Sequence, residues 1–200
     1  MKPPGLNSAG AIALGLTLAL CPPSAYAHLI ETGLGPVYDG ITHFALTPED
    51  LIPALALAMF AGLRGTAYAR RVMFVLPGAW LLGGVAGTLS GAPALVIPAW
   101  LPLLALGGLV AADARLPPAA TAAIAALLGI ALGYANGYAM AQAGPGLRGV
   151  LGIAGTVFVV TTLAAACVAA WQAGWMRIAW RAAGGWVAAS GLLLLGWSLR

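Results

Sequence analysis

Both histidines of the chain and four of its five acidic residues lie in one stretch, HLIETGLGPVYDGITHFALTPEDL, from His28 to Leu51. Asp39 and His43 are four residues apart, so on a helix they share a face, with their Cβ atoms about 6 Å from each other. An imidazole and a carboxylate at that spacing can share a divalent cation, and imidazole suits nickel, copper, zinc and related ions. The same two groups can also simply hydrogen-bond each other. Just beyond them, Thr47-Pro48-Glu49-Asp50 reads as a helix start. Thr47 is expected at the N-cap and Pro48 at the first helical position, with Glu49 and Asp50 complementing the positive end of the helix dipole. Those two carboxylates would also add negative potential where a cation arrives. A second polar group stands far along the chain in GYANGYAMAQ, residues 133–142, where Asn136, Tyr138 and Gln142 interrupt an apolar run. Asn136 is open to two roles, a hydrogen bond between helices or part of the lining of a polar route.

The elements that must position these groups follow from composition. Apolar residues make up 62% of the chain, charged residues 7%, and the mean hydropathy is +0.96. A soluble domain carries about 25% charged residues, so this chain cannot cover a water-facing surface and reads as an all-α, polytopic integral membrane protein. Its net charge of +4 comes from arginines scattered between apolar runs, which is the pattern of a topology signal rather than of nucleic-acid binding.

Residues 1–27 have the form of a cleaved secretory signal: Lys2, an apolar core over 9–20, the breakers Pro22 and Pro23, and Ala25-Tyr26-Ala27 at the cleavage site. Cleavage would leave His28 at the mature N-terminus, its α-amine and imidazole placed to chelate one ion. Cys167 would then be the single remaining cysteine, which rules out a disulfide within the mature chain and makes it a small buried hydrophobe.

Residues 28–47 form an extracytoplasmic metal-capture segment, with a short re-entrant or surface helix over 35–46. Residues 48–200 form a six-helix transmembrane domain, with spans expected at 48–64, 72–90, 94–112, 118–142, 149–172 and 178–198. If the mature N-terminus lies outside, Arg64, Arg70, Arg71, Arg115, Arg177 and Arg181 fall inside and only Arg148 and Arg200 outside. That is the positive-inside bias, and it predicts a bacterial inner membrane protein with a periplasmic N-terminus. Paired glycines such as Gly83-Gly84 and the spaced Gly129 and Gly133 predict close helix packing.

With a signal ending before a histidine, the Asp-Gly-x-x-His motif of HLIETGLGPVYDGITHFALTPEDLIPALAL and six helices, the sequence resembles the HupE/UreJ family. Members of that family are hydrogenase and urease accessory membrane proteins regarded as nickel or cobalt permeases. The resemblance carries the family's metal-associated residues onto His28, Asp39 and His43. Asn136-Gly137 stands where many members have a His-Gly pair, and PAWLPLLALG, 98–107, lacks the acid that many carry in the third span.

The expected function is therefore a permease or accessory importer for a divalent transition metal, nickel or cobalt. Glu49 and Asp50 would stand at the entrance, with Asn136, Tyr138 and Gln142 along the route. The alternative is a non-transporting metal sensor or a metalloenzyme assembly factor, whose partner would be the maturation machinery. No organic cofactor is expected. An enzyme is not expected either: Ser90-Gly91 would need a base, and there is no His beyond His43 and no Lys beyond Lys2.

The signal predicts a mature chain that begins at His28. Intact mass of the membrane-extracted protein checks this, and a retained Met1 would remove the amine-imidazole chelate.

Overall fold

The computed structural model describes residues 32–93 and 97–200. The expected signal segment 1–27 and His28 lie outside the described residues. Within them the regular structure is entirely helical: α1 (Pro36–Leu46), α2 (Pro48–Arg64), α3 (Thr66–Ser90), α4 (Trp100–Ala111), α5 (Pro118–Ala143), α6 (Gly146–Ala170) and α7 (Gly174–Ser198).

The first break is written in the chain. Pro48 follows Thr47 and disfavours helical geometry in the residue before it. Thr47 is accordingly extended, with φ −102° and ψ 94°, and α1 meets α2 at a bend of 73°. Thr47 occupies the N-cap position of α2 as expected, but its side chain does not cap that helix. Its hydroxyl turns back and donates to the His43 carbonyl at 2.6 Å, tying the hinge to the helix behind it. The next break needs one residue. Gly65 alone joins α2 to α3 at φ 103°, a conformation that a side chain would strain.

Four helices, α3, α5, α6 and α7, have 25 or 26 residues and are apolar enough to cross a membrane. The bent α1–α2 pair is a fifth candidate if it counts as one crossing. These helices mark an integral membrane protein. The apolar run expected to cross over 94–112 forms a helix only from Trp100 to Ala111 among the described residues. At 1.5 Å per residue that is about 18 Å, against a hydrocarbon core of about 30 Å.

Packing depends on glycine rather than on bulk. In lipid no hydrophobic force separates helix from solvent, so helices associate through close contact between small residues. The α3–α5 pair is the clearest case. Gly83 and Gly87 of α3 lie against the backbone of Ile130 and Tyr134, while Gly129, Gly133 and Gly137 of α5 lie against Leu76, Trp80 and Gly84. A Cβ at Gly129 would sit 2.7 Å from the Leu76 carbonyl oxygen. The same device seats α1 on α6, where Gly40 meets Gly149 and Gly152 meets the Val37 carbonyl, and α7 on α4, where Gly107 faces Gly184 and Ala188.

α1 is therefore more than a surface helix. Gly40 and Phe44 are buried, and the Phe44 ring meets Trp80 edge-on at a centroid distance of 5.6 Å. α2 is buried nearly all round, which is what an apolar helix without a polar face requires.

One end of the bundle is tied by polar contacts. Asp113, at φ 52° just after α4, pairs with Arg64 at the end of α2 and accepts from Arg177 of α7 through Nε at 2.9 Å and Nη2 at 2.6 Å. The Tyr68 hydroxyl of α3 donates to Leu116 before α5, and Gln172 after α6 donates to the Gly62 carbonyl. Ends of six helices, α2 to α7, thus gather together, and the six arginines expected on one side lie at or near them. Cys167 corrects one expectation. It is exposed on the outer face of α6, where a small thiol meets lipid as readily as it would a core.

Gly137→Ala should destabilise the α3–α5 contact by about 1–3 kcal/mol, because the new methyl meets backbone that cannot move aside. Gly78→Ala, on the open face of the same helix pair with nothing within 4 Å, should be neutral or mildly stabilising. Thermal unfolding of the two variants in detergent checks the contrast.

Candidate functional site

Because α1 and α2 meet at an angle, the last turn of one and the first turn of the other face the same space. His43, Thr47, Glu49 and Asp50 line a cavity of about 290 Å³ there. The opposite wall is one stripe of α5, Ala131, Leu132, Ala135, Asn136 and Ala139, at the four-residue spacing that keeps side chains on one face. Ile97, Ala99 and Pro102, at and before the start of α4, close the third side. Asn136 stands seven residues before the end of α5 at Ala143, about 10 Å below it.

The centre of the cavity is a bond across 86 residues of sequence. Asn136 Nδ2 donates to Asp50 Oδ2 at 2.9 Å and to the Leu132 carbonyl, also at 2.9 Å. Both residues are 5% exposed. Two acceptors surround the amide nitrogen, which fixes the amide orientation. Asn136 Oδ1 is then left buried without a partner. An unpaired buried acceptor costs about 1–3 kcal/mol. Glu49 lies exposed at the same rim, and His43 is half-buried.

The residues expected from the sequence divide accordingly. His43, Glu49, Asp50 and Asn136 come together at one cavity. Asp39 is not among its lining. It is 8% exposed, and its Oδ1 accepts from the Thr32 backbone N–H at 2.8 Å and from the Thr32 hydroxyl at 2.7 Å. Asp39 thereby pins residues 32–35 onto the first turn of α1, with its other oxygen outside that bond. Gln142 is exposed near the end of α5, and half-buried Tyr138 turns its backbone toward Gly87, so neither lines the cavity. Among the described residues no group of three His, Cys, Asp or Glu side chains converges on one point able to hold a metal ion.

Sequence reasoning placed Asp50 at a helix start and Asn136 in a distant helix. It did not pair them, although a lone amide and a carboxylate, each in an apolar segment, are the groups with most need of a partner. The role of Thr32 left no sequence signal beyond its seven-residue distance from Asp39.

Residues 16–194 match the HupE / UreJ protein family. The chain belongs to that family. HupE / UreJ proteins are linked in general to nickel or cobalt transport or to accessory roles. No curated protein and no solved structure matches the chain.

A double-mutant cycle measures the central contact. Asp50→Ala and Asn136→Ala should each destabilise the protein, and the double variant should lose less than their sum by about 0.5–3 kcal/mol. Additive losses in detergent unfolding would mean that the two side chains do not stabilise each other.

Proposed function

We propose that this HupE / UreJ member is a permease for a divalent transition metal, nickel or cobalt, and that the cavity between α1, α2 and α5 is the place where the ion is held on its way through. The observation that carries this reading is the meeting of His43, Glu49, Asp50 and Asn136 at one cavity, with the Asn136 carbonyl oxygen buried and unpaired. The ion is cargo, and its ligands should suit cargo. Conduction requires binding favourable enough to enter and weak enough to leave. A set with one imidazole, a carboxylate already shared with an amide, a second carboxylate at the rim and a neutral carbonyl oxygen meets that requirement better than three converging anionic ligands would. Imidazole supplies the preference for late first-row metals over magnesium or calcium.

In the same reading His28 and Asp39 meet the ion outside and pass it toward His43, and Glu49 raises its concentration at the rim. Residues 1–27 are a cleaved signal, the mature N-terminus is periplasmic, and the chain resides in a bacterial inner membrane. The bundle crosses six times, the third time over the apolar stretch 94–112. The gathering of Arg64, Arg70, Arg71, Arg115, Arg177 and Arg181 at one end supports that orientation.

Uptake of radiolabelled nickel and cobalt by cells producing the protein tests the proposal. Asp50→Asn and His43→Ala should each lower uptake on the order of tenfold or more while the protein still inserts at normal levels. Asp39→Ala should lower it as well, and Glu49→Gln should do so less. Equal metal accumulation with and without the protein, combined with nickel binding by the purified chain, would instead establish the non-transporting sensor or assembly factor.

A further inference from the structure

A second groove lies on the opposite end of the molecule, between α3 and α6. It has a volume of about 340 Å³, and its floor is small and apolar: Ala69 and Met73 of α3 face Ala165, Ala166, Ala169 and Ala170 of α6. Thr66 and Arg70 stand at the end where the helix termini gather, and Thr162 marks the deep end. From Ala170, the last residue of α6, to Thr162 is eight residues, about 12 Å along the helix. That depth is most of the hydrocarbon of one leaflet, whose share of the ~30 Å core is about 15 Å. With the gathered helix termini at the membrane surface, a groove of this depth would run from the headgroups into the acyl chains.

Charge decides what should fill it. Arg70 is exposed at the mouth, and no described residue forms an ion pair with it. After Asp50 the sequence contains a single acidic residue, Asp113, and that one is already shared by Arg64 and Arg177. Among the described residues no carboxylate at this end is left for Arg70, which leaves its guanidinium open to an external anion. The deep end adds a polar mark, since the Thr162 hydroxyl is buried without a partner. Neighbouring Thr161 bonds back to the Val157 carbonyl at 2.6 Å, the usual outlet for a helical hydroxyl in an apolar bundle, and Thr162 has none.

We propose that the α3–α6 groove is a binding site for one anionic phospholipid, with its phosphate on the Arg70 guanidinium and an acyl chain lying along Ala69, Met73, Ala166 and Ala169. A guanidinium pairs with phosphate through two parallel hydrogen bonds, and basic pockets between transmembrane helices bind anionic headgroups on this principle. The alanine floor leaves room for a chain that larger side chains would occupy themselves.

Native mass spectrometry of the detergent-purified protein tests the site, using phosphatidylglycerol and phosphatidylcholine with identical acyl chains as probes. The wild type should retain phosphatidylglycerol about fivefold more than phosphatidylcholine. Arg70→Gln should bring the two to the same level. Arg71→Gln, which removes an equal charge from the next residue outside the groove, should leave the preference intact. Ala166→Leu, on an exposed position, should reduce retention of both lipids by filling the groove, and glycerol phosphate without chains should not compete. The proposal is overturned if Arg70→Gln retains phosphatidylglycerol as the wild type does. It is equally overturned if Arg71→Gln costs as much as Arg70→Gln, because the lipid would then be answering a ring of charge rather than a site.

Discussion

A carboxylate removed from water must be given a partner, and the architecture of this bundle follows from how three such partners are supplied. Asp113 takes two arginines and thereby joins the ends of α2, α4 and α7. Asp50 takes the amide of Asn136 and joins α2 to α5. Asp39 takes the backbone and hydroxyl of Thr32 and closes the approach segment onto α1. Unpaired, each charge would be expensive within an apolar bundle. Paired, each marks a fixed point, and between them the helices can be held by contacts that carry no charge. The Asp50 pairing is the one that borders the cavity, where its partner keeps the amide oxygen buried and unpaired.

The uncharged contacts are mostly backbone against backbone. With glycine at 129, 133 and 137, α5 approaches α3 closely enough for its atoms to touch the peptide groups of Leu76, Trp80 and Gly84. Such an interface has little tolerance: dispersion falls off within an ångström of separation, and a single added methyl must displace a peptide rather than a side chain. It also turns Asn136 in a set direction. Asn136 precedes Gly137, so the residue that presses against α3 fixes the rotation of the helix that presents the amide to Asp50.

Much of this was legible in the sequence, and the limits have physical causes. The helices α2, α3, α5, α6 and α7 were expected near their observed positions because apolar length is a strong signal. The helix start at Thr47-Pro48 was expected because proline suits the first helical position and threonine the cap before it. The part of Thr47 that failed was its hydroxyl, which had two carbonyl or amide partners within reach and took the one behind it. Among the described residues of the stretch expected to cross over 94–112, helix begins only at Trp100, because hydropathy reports apolar residues and not whether they are helical, and Pro98 precedes that start. Asp39 and His43 were read together from their four-residue spacing. Their different surroundings, Thr32 around Asp39 and the cavity facing α5 around His43, cannot be inferred from spacing along one helix. Cys167 was assigned to the interior from composition alone, a habit from soluble proteins that fails where the exterior is also apolar.

The division of the cavity wall has a mechanical meaning. On one side stands α5, locked to α3 along its length by glycine contacts. On the other stands the beginning of α4, which belongs with α7 through Gly107, Gly184 and Gly191 and is moored at its far end to Asp113. The α4–α7 pair meets the rest of the bundle through α2, by Leu106 and Val110 in the common core and by the Asp113–Arg64 pair at one end. The chamber lined by Asp50 and Asn136 is thus walled by two glycine-packed helix pairs that meet only across it and through α2, so its width is set by how each pair seats on that one helix.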